Sequence, residues 1–185
     1  MICRLEHALV ANISNEMLEY AGMEVKTMIK DIAIALLFVI VCLAAGILGS
    51  LYTAPSIPTW YAAINKPVFN PPNYLFGPVW TFLYISMGAA AFLVWKKGFE
   101  KKEVKFALGL FAIQLALNAA WSPLFFGLHW LLISFIEIVV MWGFILWTLL
   151  RFYRISVPAG LLLVPYILWV SFASVLNFSI WWLNR

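Results

Sequence analysis

Few residues of this 185-residue chain carry groups able to do chemistry, and most of those are amides, phenols and indoles. Gln114, Asn118 and Trp121 follow one another at i, i+4 and i+7, so a helix would set two amides and an indole N–H on one face. Trp80, Tyr84, Met87, Ala91 and Trp95 share a second face by the same spacing, and Trp169, Ala173, Leu176 and Asn177 a third. Glu137 is the only acid well inside an apolar run, and a carboxylate there is a functional candidate by default. No base or second acid sits within such a run to pair with it, which argues against a proton relay or an ion-coupled pump. It is either protonated or bonded to a helix neighbour such as Trp or Ser. His7 and His129 stand alone, as do Cys3 and Cys42, so haem ligation, a metal site and a disulfide all lack their residues. A nucleophile with its base is missing too. What remains is recognition: a flat, largely apolar molecule could stack on indoles and phenols and be oriented by Asn118 or an indole N–H. The two amides could equally bond to each other's helices with no ligand involved.

The elements that must position these residues are membrane helices. Hydrophobic residues make up 65% of the chain and charged residues 11%, against roughly a quarter charged in a soluble domain. Mean hydropathy is +0.96. That composition excludes intrinsic disorder, a collagenous chain and a disulfide-stapled module. A net charge of +4 and a pI near 9.1 could suggest nucleic acid, but the bases flank apolar spans and form no exposed face. Five stretches are long enough to cross roughly 30 Å of hydrocarbon, at about 32–54, 78–97, 104–127, 130–150 and 157–182. In lipid these must be helices, which predicts an all-α five-helix bundle over 32–185. Residues 1–31 read as a surface helix, a disordered tail or an artefact of the start site, with Met23 or Met28 as the true start; they do not read as a signal peptide.

Ten of the twelve Lys and Arg fall on one side if the N-terminus is cytoplasmic, leaving Lys66 and Arg185 opposite. The positive-inside rule therefore places the first loop and the C-terminus away from the cytoplasm. That loop, PSIPTWYAAINKPVFNPPNYLFGPVW (Pro55 to Trp80), is stiffened by Pro55, Pro58, Pro67, Pro71, Pro72 and Pro78. Its aromatics, Trp60, Tyr61, Phe69, Tyr74 and Phe76, suit either an interfacial belt or a lid over a ligand. Counting about 1.5 Å per residue, Asn118, Trp121 and Trp169 lie roughly 10–20 Å below the outer ends, and Trp80 near the mouth. Gly109, Ala112, Ala116 and Ala120 form a small-residue face that fits packing within the monomer or a dimer seam. Pro123 and Pro165 are expected to kink their helices.

The run NKPVFNPPNYLFGPVWTFLY (Asn65 to Tyr84) resembles the first-loop and second-helix signature of the TspO/MBR family, which includes the translocator proteins and tryptophan-rich sensory proteins. QLALNAAWSPLFFG (Gln114 to Gly127) is similar to its third-helix motif and PYILWVSFASVLN (Pro165 to Asn177) to its fifth. The resemblance covers about residues 35–182. It implies a five-helix bundle, commonly dimeric, that binds porphyrins and in some members cholesterol or benzodiazepine-type drugs. By position, Trp80 and Trp169 match the two tryptophans that face the ligand, Tyr61 and Pro71 match loop residues over it, and Tyr84, Asn118, Trp121, Ala173 and Leu176 match further wall positions. The implied function is a receptor or sensor for a protoporphyrin IX-like tetrapyrrole, with no cofactor required and metal-free porphyrin favoured. Alternatives are light-dependent porphyrin degradation with Trp80 and Trp169 as redox-active indoles, and tetrapyrrole or sterol transport. Where the family's sterol motif wants a Tyr and then a basic residue, this chain has Phe178, Trp181 and Trp182, which weakens a sterol reading.

Overall fold

The computed structural model describes residues 2–185, with side chains described for Met17, Tyr20 and residues 22–185. The side chains of Cys3, Arg4, Glu6, His7, Glu16 and Glu19, on which much of the reading of the N-terminal segment rests, lie outside the described residues. The chain divides into two units, residues 1–37 and 38–185. Helix α1 spans Ile2–Ser56, and its stretch from Phe38 onward belongs to the second unit. Residues 22–31 are helical, with no proline until Pro55 to interrupt the backbone ladder.

After α1 come a one-turn helix α2 (Trp60–Ala63), a 3-10 turn (Asn73–Leu75), α3 (Phe76–Trp95) and α4 (Lys102–Ser122). A π turn (Pro123–Gly127), α5 (Leu131–Ile155), the short α6 (Val157–Leu162) and α7 (Val164–Leu183) complete the chain. Five stretches are long and apolar enough to cross a membrane: Gly22–Ser56, Asn73–Trp95, Lys102–Gly127, Leu131–Ile155 and Val157–Leu183. The described residues contain no strand. This is an all-α integral membrane protein. Helix α1 begins well before the first apolar span, and the other helix ends pass theirs by a few residues, because the backbone ladder continues wherever its groups still find partners.

Both expected proline disturbances are present, each in its own form. Pro123 offers no N–H, and the turn after it widens until the Leu128 N–H donates to the Pro123 carbonyl at 2.8 Å. The last span breaks at Leu163, whose N–H reaches the Gly160 carbonyl at 3.1 Å, and Pro165 then sits in the first turn of α7, where a missing donor costs nothing.

Helix α4 packs on α5, α5 on α6 and α7, and α3 on α4 and α6. The stretch of α1 from Phe38 onward approaches α3 so closely at Gly88 that a Cβ there would lie 2.6 Å from the Val39 Cα. Only glycine permits such an approach of two backbones. One turn of α3 away, Gly46 makes room for the ring of Tyr84.

A buried chain of hydrogen bonds ties three helices at mid-depth. The Tyr84 hydroxyl of α3 donates to Asn118 Oδ1 of α4 at 2.6 Å, and Asn118 Nδ2 donates to the Tyr166 hydroxyl of α7 at 3.0 Å. That hydroxyl donates in turn to Gln114 Oε1 at 2.9 Å. Beside it, Trp121 Nε1 donates to Asn177 Oδ1 at 3.0 Å, and Asn177 Nδ2 to the Leu131 carbonyl at 3.1 Å.

Two expectations follow. Gly88→Ala should lower stability by about 1–3 kcal/mol through overpacking against Val39, whereas Gly143→Ala, where a Cβ meets nothing within 4 Å, should be neutral or gain up to about 1 kcal/mol. Thermal unfolding in a fixed detergent compares them, and equal melting temperatures would contradict the close crossing. Asn118→Ala leaves two buried phenols short of a partner and should cost about 1–3 kcal/mol for each group stranded, while Asn118→Asp in its protonated form should retain more of the fold.

Candidate functional site

Above the hydrogen-bonded layer lies a chamber of about 530 Å³, enclosed by α1, α3, α4, α5 and α7. Its wall contains Trp80 and Tyr84 from α3, Asn118 and Trp121 from α4, and Trp169, Ala173 and Leu176 from α7. Tyr61 of α2 closes it on the loop side. Three helical faces separated widely in sequence thus converge on one space, together with Ile138 and Met141 of α5. The aromatic rings pack on one another around it. Trp80 stacks on Tyr84 with centroids 5.5 Å apart and meets Tyr166 edge-on at 6.3 Å. Trp169 meets Phe76 edge-on at 5.9 Å, and Trp121 stacks on Phe125 at 4.9 Å.

The first loop forms a tied roof. Tyr61 is 3% exposed, and its hydroxyl donates to Asn70 Oδ1 at 2.7 Å. Burial pushes this phenol's pKa up to about 12 against a lowering by Asn70, so it remains a donor from neutral pH to about pH 10; its contribution then fades as the folded-state pKa is approached. Trp60 stacks on His129 at 4.0 Å, His129 itself holding a left-handed backbone with φ 57° in the turn after α4. Phe69 meets Phe172 edge-on at 6.3 Å. The loop is also clasped to the C-terminus: the Asn65 N–H donates to Asn184 Oδ1 at 2.9 Å, and Asn184 Nδ2 returns to the Asn65 carbonyl at 2.8 Å. The belt and lid readings therefore divide by residue. Tyr61 is buried under the loop, while Tyr74 is 75% exposed at the rim of the same chamber.

Pro71 is not among the residues that line the chamber. Its carbonyl accepts from Asn70 Nδ2 at 3.1 Å, and Asn70 in turn holds Tyr61. Pro71 acts on the roof through that relay. Sequence reasoning also missed the whole α1 wall, including Leu43, Gly46, Gly49 and Thr53, and the π-turn residues Phe125 and Phe126. The signal for α1 was its run of small residues at three- and four-residue spacing, Gly46, Gly49, Ser50 and Thr53.

The polar groups are largely engaged with protein. Asn118 bonds to both tyrosines and Trp121 to Asn177, so the interhelical use of these side chains is present alongside their place on the wall. Trp169 Nε1 is buried without a hydrogen-bond partner among the described residues, as are Gln114 Nε2 and both oxygens of Glu137. Glu137 therefore lacks the Trp or Ser bond that its neighbours could have supplied. Among the described residues no group of three His, Cys, Asp or Glu could hold a metal ion. Gly109, Ala112, Ala116 and Ala120 are all exposed on the outer face of α4, so they do not serve packing within the monomer.

The match to known proteins extends across the same helices. The TspO/MBR family profile covers residues 38–183. The chain is 49% identical over 155 residues to the tryptophan-rich protein TspO of Chlorobaculum tepidum, covering 84% of this chain and 98% of that one. It is 39% identical over 150 residues to the translocator protein of Ovis aries, covering 80% and 88%. It is 36% identical over 154 residues to the tryptophan-rich sensory protein of Cereibacter sphaeroides, covering 83% and 93%. With its helices, its roofed aromatic chamber and a match of this extent, the chain belongs to the TspO/MBR family.

Proposed function

We propose that this protein is a membrane receptor or sensor that binds porphyrin-type tetrapyrroles in the chamber beneath the first loop. The observation that carries the reading is the wall itself: Trp80, Tyr84, Trp121 and Trp169 surround one space with few free polar groups. Its volume falls within the roughly 300–1,000 Å³ of small-molecule sites. Affinity for a flat apolar macrocycle comes from stacking and apolar burial, and the Trp169 N–H is the one indole donor of the wall recorded as buried and unpartnered. No metal is needed for this binding, which favours metal-free porphyrin. The name of the sensory relative agrees with a signalling role.

The second reading, light-dependent porphyrin degradation, draws on the placement of Trp80 and Trp169 on the same wall, where an excited ligand would contact both. Pairing through the exposed Gly109, Ala112, Ala116 and Ala120 face would bring two copies close, as small residues allow in lipid. The loop end, with Lys66 and Arg185, would face away from the cytoplasm.

Titrating protoporphyrin IX while following tryptophan emission tests the main reading. Trp80→Leu combined with Trp169→Leu should raise Kd at least tenfold, about 1.4 kcal/mol, whereas Trp147→Leu, which is off the wall, should leave it within twofold. Equal affinities for all three proteins would remove the chamber from consideration. Illumination of the bound complex should bleach porphyrin absorbance only if the degradative reading holds. Ala116→Leu should shift the population toward monomer in bilayer cross-linking while leaving the melting temperature unchanged, and an unaltered dimer yield would exclude this seam.

A further inference from the structure

The chamber is not sealed on the side between α1 and α3. These helices touch at Val39 and Gly88 and again at Gly46 and Tyr84. Beyond that level α1 leaves α3 and leans on the end of α4. Gly49 packs at Ser122, the Thr53 hydroxyl oxygen lies 3.4 Å from Ser122 Oγ, the Ser56 hydroxyl donates to the Phe126 carbonyl at 3.1 Å, and Tyr52 lies against Gly127. The two helices therefore form a wedge that opens toward the loop end. The chamber occupies the wedge, and its lining includes Ile47, Ser50 and Ala54 on one arm and Gly77 and Thr81 on the other. These residues are also exposed, Ile47 at 63%. They belong to membrane-spanning stretches, so the surface they face is hydrocarbon.

The polar groups along this gap are neutralised in a way that suits lipid and not water. The Ser50 hydroxyl donates to the Ile47 carbonyl at 2.7 Å, Thr53 to Gly49 at 3.2 Å and Thr81 to Gly77 at 2.9 Å. Each of these three hydroxyl protons is returned to its own helix. A route for hydrated molecules would gain from leaving such donors free. An apolar route gains from hiding them.

We infer that the wedge between the outer halves of α1 and α3 is a lipid-side doorway, through which a bilayer-dissolved planar ligand passes laterally into the chamber while the roof stays clasped. The identity of that ligand rests on the tetrapyrrole reading above; the doorway itself rests on the wedge. Two phenylalanines placed across the gap, Ser50→Phe with Thr81→Phe, should obstruct it without touching the stacking wall.

In phosphatidylcholine vesicles, stopped-flow quenching by protoporphyrin IX should show association and dissociation both slowed in that variant, association by about tenfold. Asn184→Ala, which unclasps the roof, should leave both rates within about twofold. Faster association in Asn184→Ala with unchanged rates in the Phe variant would overturn the doorway and assign entry to the roof. A second measurement needs no porphyrin. Phosphatidylcholine brominated on its acyl chains should quench the Trp80 share of the emission, taken as the difference from Trp80→Phe, and the Phe pair should remove about half of that quenching or more. Trp80 emission indifferent to bromine would refute the doorway whatever porphyrin does, whereas bromine quenching without any porphyrin binding would retain the doorway and reject the ligand.

Discussion

The hydrogen-bonded layer of Tyr84, Asn118, Tyr166 and Gln114 allows three apolar helices to enclose a space without collapsing into it. In a bilayer, lipid is as apolar as the side chains, so burying leucines does not by itself hold helices together. Directional bonds between side chains can. Here they fix α3, α4 and α7 relative to one another at one depth, and every group in the chain is buried. Above that depth, bulky rings stack on their neighbours along the wall and the middle is left open. The chamber has a floor because the layer is polar and cross-linked, with Gln114 Nε2 left over, and it has height because the roof is tied separately to Asn184 and His129.

The second constraint is steric. Gly88 lets α1 meet α3 backbone to backbone, which makes that crossing the pivot from which the two helices diverge. A larger residue would hold them apart along their length and replace the wedge with a broader, shallower groove. The divergence is then maintained at the far end by contacts of α1 with Ser122, Phe126 and Gly127, so α1 serves as one wall of the chamber and as a brace for the π turn. The π turn begins at Pro123, whose carbonyl accepts from the Leu128 N–H, and it carries Phe125 and Phe126, both on the chamber wall and both packed edge-on against Trp60.

Much of this was legible because helices in lipid obey two simple periodicities. Apolar length located the spans, and 3.6-residue spacing grouped Trp80 with Tyr84, Asn118 with Trp121, and Trp169 with Ala173 before any contact between those groups was known. Other features left no such mark. Helix α1 is apolar on every side, so hydropathy does not distinguish a lipid face from a chamber face, and only the spacing of its small residues Gly46, Gly49, Ser50 and Thr53 marks the wall. The pairing of Gly88 with Val39 joins positions far apart in sequence and is visible only as a distance. The bond from Asn70 to the Pro71 carbonyl, beside the one that Asn70 accepts from Tyr61, likewise has no signature in the motif. Sequence placed the amides on the right face but left their partners open, since a hydrogen bond across helices depends on rotamer and depth.

The same bonds that build the floor also set what the chamber can recognise. Asn118 has its carbonyl and an N–H engaged, Trp121 gives its proton to Asn177, and Tyr84 and Tyr166 donate along the layer. Any charged or strongly hydrated group brought inside would lose water and find little in return, at a cost of several kcal/mol. On the receptor reading proposed above, a ligand would be selected by flatness and apolar area first, with its polar substituents left at the rim, and the selectivity would be that of shape and stacking.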